Sequence, residues 1–228
     1  MNARDIMTTR VISVLPDTSV REIARILEAN LVSALPVVDA EGRILGMVSE
    51  GDLLRRVPGG PQHGSWWLTL LAGEPLPGGH SVPESLRAAD VMTKDVVRIR
   101  EDTPLSEAAR ILETRRVKRL PVERDGRLVG IVSRANVAQG LASQAASAPV
   151  PGDAGIRKAI VDTLDRAAVG THLMNVIVTD GTAWLWGAVD SRSDETAALA
   201  AARAVPGVRH VANHLFLLSS RLHPRDAD

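Results

Sequence analysis

Apolar positions near the start of the chain first follow the period of an amphipathic helix and then that of strands. Four of them occupy one helical face in the i, i+3, i+4, i+7 pattern, at Val20, Ile23, Ala24 and Leu27. Two short apolar runs, 35–38 and 44–48, are typical of buried strands, with a turn at Gly42 between them. The second run ends at Ser49, after which a helical pattern resumes. With a strand ahead of the first helix, residues 1–56 are predicted to form strand, helix, strand, turn, strand, helix.

The same pattern occurs twice, because residues 5–56 align with residues 90–141. Three short phrases are shared by the two copies: D-[IV]-M-T at 5–8 and 90–93, L-P-V at 35–37 and 120–122, and G-x-V-S at 46–49 and 130–133. A duplication of this length is typical of a repeated structural module. It predicts two similar modules, each ending in a strand followed by a helix.

Each copy places a polar residue three positions after the serine that ends its last strand. The pairs are Ser49 with Asp52 and, 84 residues later, Ser133 with Asn136. Taken alone, the first pair indicates a capping box, in which the serine caps a helix and the aspartate bonds back to the serine N–H. A repeated pair at the same place in two modules also suggests a binding site.

The residues after position 142 follow a different pattern. Residues 143–154 are rich in Ala, Ser, Pro and Gly and are predicted as a flexible, partly extended linker. A helix carrying Ile156, Ile160 and Leu164 on one face comes next, then strands at 173–178 and 182–189 joined by an Asp-Gly turn. Ser191 begins another helix and 207–218 forms the last strand. The predicted order is therefore α-β-β-α-β.

Tryptophans occur in two pairs. Trp66 and Trp67 lie in the Gly- and Pro-rich segment 57–86, and we expect them in a short helix that covers a sheet edge or a dimer face; contact with a membrane surface is the alternative. Trp184 and Trp186 share one face of a strand by alternation. We expect this second pair in the core beneath the helices, with an exposed contact surface as the alternative.

Composition narrows the classes of function. The chain has 228 residues, 45% of them hydrophobic, with 27 Lys plus Arg and 27 Asp plus Glu. Zero net charge, a single phenylalanine and no tyrosine argue against a nucleic-acid-binding protein. The absence of cysteine excludes disulfides and thiol catalysis. The chain starts without the apolar core of a signal peptide and has no run approaching the roughly 20 apolar residues of a membrane span, so we expect a cytoplasmic location.

Sequence motifs of catalysis and metal binding are also missing. No Walker loop, dinucleotide-binding glycine fingerprint, G-x-S-x-G elbow or H-E-x-x-H motif occurs in the sequence. His210 and His214 share a strand face, but two histidines without a third ligand make a poor metal site. The sequence therefore predicts a binding protein and not an enzyme, with no catalytic residues and no metal site.

Residues 1–142 resemble a tandem pair of CBS domains, known as a Bateman module, because the three shared phrases occur in both copies. Residues 155–219 resemble a BON domain in their α-β-β-α-β order, in L-W-G-A-V at the end of the second strand and in P-G-V-x-x-V-x-N before the third. The resemblance implies an α/β (α+β) protein in which a CBS pair with pseudo-twofold symmetry is followed by a small BON domain. The expected boundaries are 1–56 and 87–142 for the CBS domains, 57–86 and 143–154 for the linkers, and 155–219 for the BON domain.

The resemblance to CBS pairs implies two clefts that bind AMP, ADP, ATP or S-adenosylmethionine. In that family the aspartate of S-x-x-D holds the ribose hydroxyls and the serine lies near the phosphates, which assigns Asp52 and Ser49 to one cleft. A carboxylate suits a vicinal diol because it has two acceptor oxygens, and N–H groups at a helix start suit a phosphate. The second cleft has Ser133 and Asn136, and Asn136 offers one acceptor oxygen without charge, which puts ligand binding there in doubt.

Basic residues ahead of the L-P-V phrase occur in the second copy and not in the first. Four cations in five positions precede Leu120, whereas the matching 30–34 stretch has none. Such a run is often only a solvated face. The family geometry instead places Lys118 and Arg119 at the cleft that contains Asp52, as partners of the ligand phosphate. We therefore expect two unequal clefts, with about one tight site per chain.

Taken together, these features predict a regulatory protein whose CBS pair senses an adenosine-containing ligand and whose BON domain passes the state to a protein or phospholipid partner. A homodimer through the CBS portion is expected. The alternative is a structural or membrane-associated adaptor with empty clefts, in which the BON domain carries the function.

Overall fold

The computed structural model describes residues 1–56, 85–147, 149–167 and 173–218. The helices are α1 (Ala3–Ile6), α2 (Val20–Ala29), α3 (Glu50–Arg56), α4 (Ala88–Val91), α5 (Leu105–Thr114), α6 (Arg134–Ala146), α7 (Asp153–Arg166) and α8 (Arg192–Arg203). The strands are β1 (Ala34–Val38), β2 (Ile44–Ser49), β3 (Ile99–Arg100), β4 (Arg119–Arg124), β5 (Arg127–Ser133), β6 (Met174–Thr179), β7 (Thr182–Val189) and β8 (His210–Leu217). Trp66 and Trp67, with the helix expected around them, lie outside the described residues.

The chain divides into two compact units. The first-copy unit comprises Ile12–Val97 and Arg124–Leu128, and the second-copy unit comprises Met1–Val11, Arg98–Glu123 and Val129–Asp228. The boundaries of the units therefore do not coincide with those of the sequence repeat, since each opening segment is separated from the rest of its own copy.

The first-copy unit is built on α2 and the antiparallel hairpin β1–β2. Ser19 caps α2 by accepting a hydrogen bond from the N–H of Glu22. The predicted apolar face of this helix is buried, and it packs on inward-facing residues of the hairpin, among them Leu35, Val37 and Val48. The strand expected ahead of α2 is reduced to an isolated parallel bridge between Val14 and Val37. Burial of this apolar face is what fixes the helix on the sheet.

The second-copy unit repeats this arrangement and adds the C-terminal module. The strand order of its first sheet is β3-β4-β5, with β3 parallel to β4. Helix α5 buries Leu105, Ala108 and Leu112, the counterparts of the face that α2 buries. The helical and strand periods therefore predicted the elements of both copies.

The D-[IV]-M-T segments are exchanged between the two sequence repeats. Thr8, from the opening of the first copy, forms a bridge with Ile131 at the end of the second, and Thr93, from the opening of the second copy, forms one with Met47 in the first. Helices α1 and α4 are the short helices that begin these segments. Each unit is therefore completed by residues from the other sequence repeat.

The C-terminal module has the predicted α-β-β-α-β order. Its sheet has the order β6-β7-β8, with β6 antiparallel and β8 parallel to β7. Asp180 and Gly181 join β6 to β7 with φ values of 48° and 68°, the left-handed backbone that a two-residue hairpin requires. Helices α7 and α8 cover one face of this sheet, and the core contains Ile160, Leu164 and Leu185.

Trp184 and Trp186 do not lie in that core, and this prediction was wrong. Alternate residues of β7, Ala183 and Leu185, face the helices, which places both tryptophans on the opposite face. There they are half-buried and stack with His214, whose ring centroid is 3.9 Å from that of Trp186. Alternation placed the tryptophans together correctly, but it cannot say which face of a sheet receives the helices.

The extended backbone expected from residue 143 begins instead at residue 147. Helix α6 continues to Ala146, and the buried Ser143 side chain in its last turns donates a hydrogen bond to the Gln139 carbonyl one turn earlier. The next helix begins at Asp153, a buried residue that accepts hydrogen bonds from the N–H groups of Val150, Asp180 and Gly181. The connection is thus short and tied to the Asp-Gly turn.

Candidate functional site

The Asp52 carboxylate lies at the junction of β2 and α3 and is almost fully buried. Its Oδ2 atom accepts hydrogen bonds from the Ser49 N–H at 2.9 Å and from Ser49 Oγ at 2.6 Å. The Asp52 N–H donates back to Ser49 Oγ at 3.3 Å. The capping box suggested by the spacing is therefore present, and it fixes the orientation of the carboxylate.

The other oxygen, Oδ1, is held by groups from outside the cap. It accepts hydrogen bonds from Arg55 Nη2 at 2.9 Å and from Thr93 Oγ1 at 3.3 Å. Arg55 is on the same helix and its side chain is 69% exposed, whereas Thr93 comes from the exchanged segment. Oδ1 therefore has one exposed cation and one hydroxyl of the exchanged segment as its partners.

The Asn136 side chain occupies the corresponding position in the second-copy unit. Its Oδ1 atom accepts hydrogen bonds from the Ser133 N–H at 2.8 Å and from Ser133 Oγ at 2.6 Å, so the cap is the same. Its Nδ2 atom donates to Thr8 Oγ1 at 3.4 Å. Where the first site directs an acceptor oxygen toward the exchanged threonine, the second directs a donor. The two sites therefore share a backbone frame and differ in polarity.

The threonines of the exchanged segments were missed by the sequence analysis. Thr93 contacts the first capping box through its hydroxyl and pairs with the backbone of Met47. Thr8 contacts the second capping box through its hydroxyl and pairs with the backbone of Ile131. The available signal was the repetition of D-[IV]-M-T in step with the capping box. Arg55 was also missed, because the second copy has no cation at the matching position, Gln139.

The proposed phosphate-binding cations lie on the second-copy unit. Arg119 is the first residue of β4 and is half-buried, and Lys118 precedes it and is exposed. Asp52 and Ser49 belong to the first-copy unit, whereas Ser133 and Asn136 belong to the second. The structure brings together Ser49 with Asp52 and Ser133 with Asn136; the convergence of Lys118 and Arg119 with Asp52 stays a prediction.

Two family models match the chain. The CBS domain model matches residues 3–59 and 88–143, and the BON domain model matches residues 152–217. The chain is a CBS-domain pair followed by a BON domain. The duplicated sites described above thus lie in the two CBS domains, and the Trp184–Trp186–His214 stack lies on the sheet of the BON domain.

Known proteins match the CBS pair. The chain is 35% identical over 135 residues to the chloroplastic CBS domain-containing protein CBSX1 of Arabidopsis thaliana, a match that covers 54% of this chain and 56% of that protein. An inosine-5'-monophosphate dehydrogenase of Methanocaldococcus jannaschii is 32% identical over 132 residues, which are 58% of this chain and only 22% of the enzyme. The chain therefore spans about half of the first relative and a small part of the second.

A solved structure gives the same match in three dimensions. The crystal structure of CBSX2 in complex with AMP has a TM-score of 0.51 and 32% sequence identity, and the match covers 63% of this chain and 98% of that one. A second structure of CBSX2, from Arabidopsis thaliana, has a TM-score of 0.52 and 31% identity over 64% of this chain. The fold of the CBS pair is thus shared with a protein of known structure.

Residues 1–56, 85–147, 149–167 and 173–218 contain no helix with the length and hydropathy required to cross a bilayer. The same residues contain no group of three or more side chains of His, Asp or Glu arranged to hold a metal ion.

Proposed function

We propose that the CBS pair is a sensor that binds an adenosine-containing ligand, AMP, ADP, ATP or S-adenosylmethionine, at the cleft containing Asp52, and that the BON domain carries the interaction with a partner. The observation that carries the proposal is the buried Asp52 carboxylate, oriented by Ser49 and Thr93. It occurs in a CBS pair that is 32% identical to CBSX2, a protein crystallised with AMP.

The carboxylate has the properties that recognition of a ribose requires. Two vicinal hydroxyls are donors, and Asp52 Oδ1 is an acceptor whose present partners include the exposed guanidinium of Arg55. A ligand diol would replace that contact with hydrogen bonds to a charged group, which contribute roughly 1.5–3 kcal/mol each. The Ser49 bonds to Oδ2 would remain, so that the acceptor is already oriented before the ligand arrives.

The second cleft is expected to bind the same ligand more weakly. Asn136 has no charge, and its single acceptor oxygen is used by Ser133. The remaining group, Nδ2, is a donor and cannot accept from a diol hydroxyl. The first copy also has Ser33 and Ala34 where the second copy has Lys118 and Arg119. We infer about one tight site per chain, with a difference of about 2 kcal/mol, or roughly thirtyfold in affinity, between the two clefts.

A second function is favoured by the sheet of the BON domain. Trp184, Trp186 and His214 form a continuous stack that remains half-buried or exposed on the face away from the helices. Aromatic side chains of this kind are enriched in binding surfaces. The alternative is therefore an adaptor that binds a protein or phospholipid through the BON domain and whose clefts hold no nucleotide.

The test is calorimetric titration of the four ligands into the full chain and into Asp52→Asn. Asn136 provides the rationale for this variant, because an asparagine at the matching position accepts both serine hydrogen bonds. The variant should thus keep the helix cap and lose only the charge and the acceptor. We expect at least about tenfold weaker binding of the preferred ligand.

A matched control is Asp95→Asn, which removes an exposed carboxylate from the same unit. It should bind as the unmodified protein does. Unchanged affinity in Asp52→Asn would refute the ribose contact. If none of the four ligands binds the unmodified protein, the sensor function is rejected and the adaptor function is favoured.

A further inference from the structure

The BON domain makes side-chain contacts with both elements that form the Asn136 site. Arg157, on α7 of the BON domain, is buried and donates from Nη2 to the Met7 carbonyl at 2.5 Å. Asn175, on β6, donates from Nδ2 to the Ile6 carbonyl at 3.0 Å and to Gln139 Oε1 at 2.9 Å. All of these residues belong to the second-copy unit.

The carbonyls of Ile6 and Met7 need partners from outside their own helix. They stand at the C-terminal end of the four-residue helix α1, where the last carbonyls of a helix have no intrahelical donor. Arg157 and Asn175 supply those donors. Arg157 also donates from Nε to the Val176 carbonyl at 2.7 Å, which anchors its guanidinium on the BON sheet. The end of α1 is thus fixed by hydrogen bonds from the BON domain.

The residue that follows this contact is the threonine of the Asn136 site. Thr8 accepts the hydrogen bond from Asn136 Nδ2, and its backbone exchanges two hydrogen bonds with Ile131, both at 2.9 Å. Gln139, the other group bound by Asn175, lies one turn after Asn136 on α6. The contacts of the BON domain therefore end within one residue of Thr8 on one side and three residues from Asn136 on the other.

The burial of Arg157 makes this contact costly to form without good partners. Desolvation lowers the pKa of Arg157 to about 10, opposed by the nearby charge of Asp5, and the side chain is still protonated at neutral pH. A buried guanidinium that rests on main-chain carbonyls is strongly bound to one arrangement of those carbonyls, because any other arrangement leaves its donors unpaired. This property favours two discrete states, contact made or contact broken.

We propose that Arg157 and Asn175 are positioning residues through which the BON domain sets the conformation of the Asn136 cleft. A partner that displaces the BON domain would release Thr8 and change the ligand affinity of that cleft. By thermodynamic linkage, a ligand in the cleft would change the affinity of the BON domain for its partner by the same factor. The contact itself is independent of any ligand; the effect on ligand affinity rests on the proposed nucleotide binding.

The chain contains an internal control for this proposal. The pair Thr93–Met47 in the first-copy unit has the same backbone geometry as Thr8–Ile131, with hydrogen bonds of 2.9 and 3.0 Å. Neither residue belongs to the unit that contains the BON domain. A loss of the BON contact should thus affect Thr8–Ile131 and leave Thr93–Met47 unchanged.

The first experiment measures amide hydrogen exchange in the full chain without added ligand. In Arg157→Met, we expect the Thr8 and Ile131 amides to exchange about tenfold faster, while the Thr93 and Met47 amides keep their rates. Arg157→Lys should restore part of the protection because it keeps one charged donor. Arg166→Met, which removes an exposed arginine from the same helix, should change neither pair.

Asn175→Ala provides a second test if Arg157→Met folds poorly, since it removes the donors to Ile6 and Gln139 but leaves the guanidinium in place. It should also accelerate exchange at Thr8 and Ile131 alone. The proposal is overturned if the two threonine pairs respond equally in both variants, or if neither responds.

A second experiment links the contact to ligand binding. In an Asn136→Asp background, which gives the second cleft a carboxylate, AMP is titrated with and without Arg157→Met. We expect the affinity of the second cleft to change by about fivefold or more, while that of the Asp52 cleft stays constant. Faster exchange without any AMP binding would retain the contact and reject AMP as the ligand of the clefts. Normal AMP binding with unchanged hydrogen exchange would retain AMP as a ligand and reject the proposed role of the BON contact.

Discussion

The Met92 side chain packs directly against the α-carbon of Gly46, and a Cβ atom added at Gly46 would lie 2.5 Å from Met92 Sδ. Met7 and Gly130 have the same relationship in the other unit. The methionine of D-[IV]-M-T and the glycine of G-x-V-S are thus two halves of one contact. This contact explains why the two phrases occur together in both copies.

Gly46→Ala is therefore expected to lower the free energy of unfolding by about 1–3 kcal/mol, because the added methyl group overpacks the contact with Met92. Urea denaturation followed by circular dichroism measures the change. Adding Met92→Ala should recover part of the loss, since the two positions are coupled. Gly155→Ala is the control: nothing lies within 4 Å of a Cβ atom there, and the helical position should gain up to about 1 kcal/mol. Equal losses at both glycines would contradict the close contact.

Asp153 is expected to be a main source of stability in the BON domain. Its buried carboxylate accepts three backbone hydrogen bonds, so Asp153→Ala leaves three N–H donors without a partner and should cost about 3 kcal/mol. Urea denaturation of the full chain followed by circular dichroism measures the loss. The exposed Asp190→Ala is the matched control and should change stability by less than about 0.5 kcal/mol. Similar effects of the two substitutions on the free energy of unfolding would contradict a stabilising role for the hydrogen bonds of Asp153.

Much of the fold was predictable from the sequence, because it depends on local patterns. The apolar face of α2, the Asp-Gly turn of the BON hairpin and the order of the repeated elements are all set by residues close in sequence. The exchange of the D-[IV]-M-T segments, by contrast, depends on contacts between residues far apart in the sequence. Two copies with the same spacing look identical in sequence whether each segment packs in its own copy or in the other.

The candidate site shows the same division. The spacing of Ser49 and Asp52 predicts their hydrogen bonds, since three residues at a helix start bring the two side chains together. Thr93 lies 41 residues further along the chain, and no local rule connects it to Asp52. The side of the sheet on which Trp184 lies depends on where the two helices pack. The alternation of residues along the strand does not carry that information.

Lys118 is expected to bind the phosphate of the ligand and not its base or sugar. Lys118→Ala should therefore weaken AMP binding by about tenfold and leave adenosine binding nearly unchanged, because a charge-assisted contact to phosphate is lost. Arg115→Ala removes the same charge from another exposed position in the basic run and serves as the control. If both variants weaken AMP binding equally, the loss of affinity reflects the change in net charge alone. If adenosine and AMP are weakened equally by Lys118→Ala, the lysine does not contact the phosphate.

The full chain is expected to form a homodimer through its CBS domains. Leu15, Leu31 and Leu45 are large apolar residues of the first-copy unit with exposures of 47%, 55% and 38%, and burial of such residues between subunits is favourable. Sedimentation equilibrium at micromolar concentration should give about twice the chain mass of 24.3 kDa. Leu31→Glu should shift the protein toward monomer. A monomer in the unmodified protein would contradict the expectation.

The central claim, that the CBS pair contains one good adenosine-ligand site and one poor site, is tested most directly by the stoichiometry of AMP binding. Calorimetric titration of AMP should give about one tight site per chain in the unmodified protein, and Asp52→Asn should weaken that site at least about tenfold. Asn136→Asp should add a second site or tighten a weak one, because it supplies the charge and the acceptor oxygen that the second cleft lacks. Two equal sites in the unmodified chain, or one site whose affinity is unchanged in Asp52→Asn, would contradict the account.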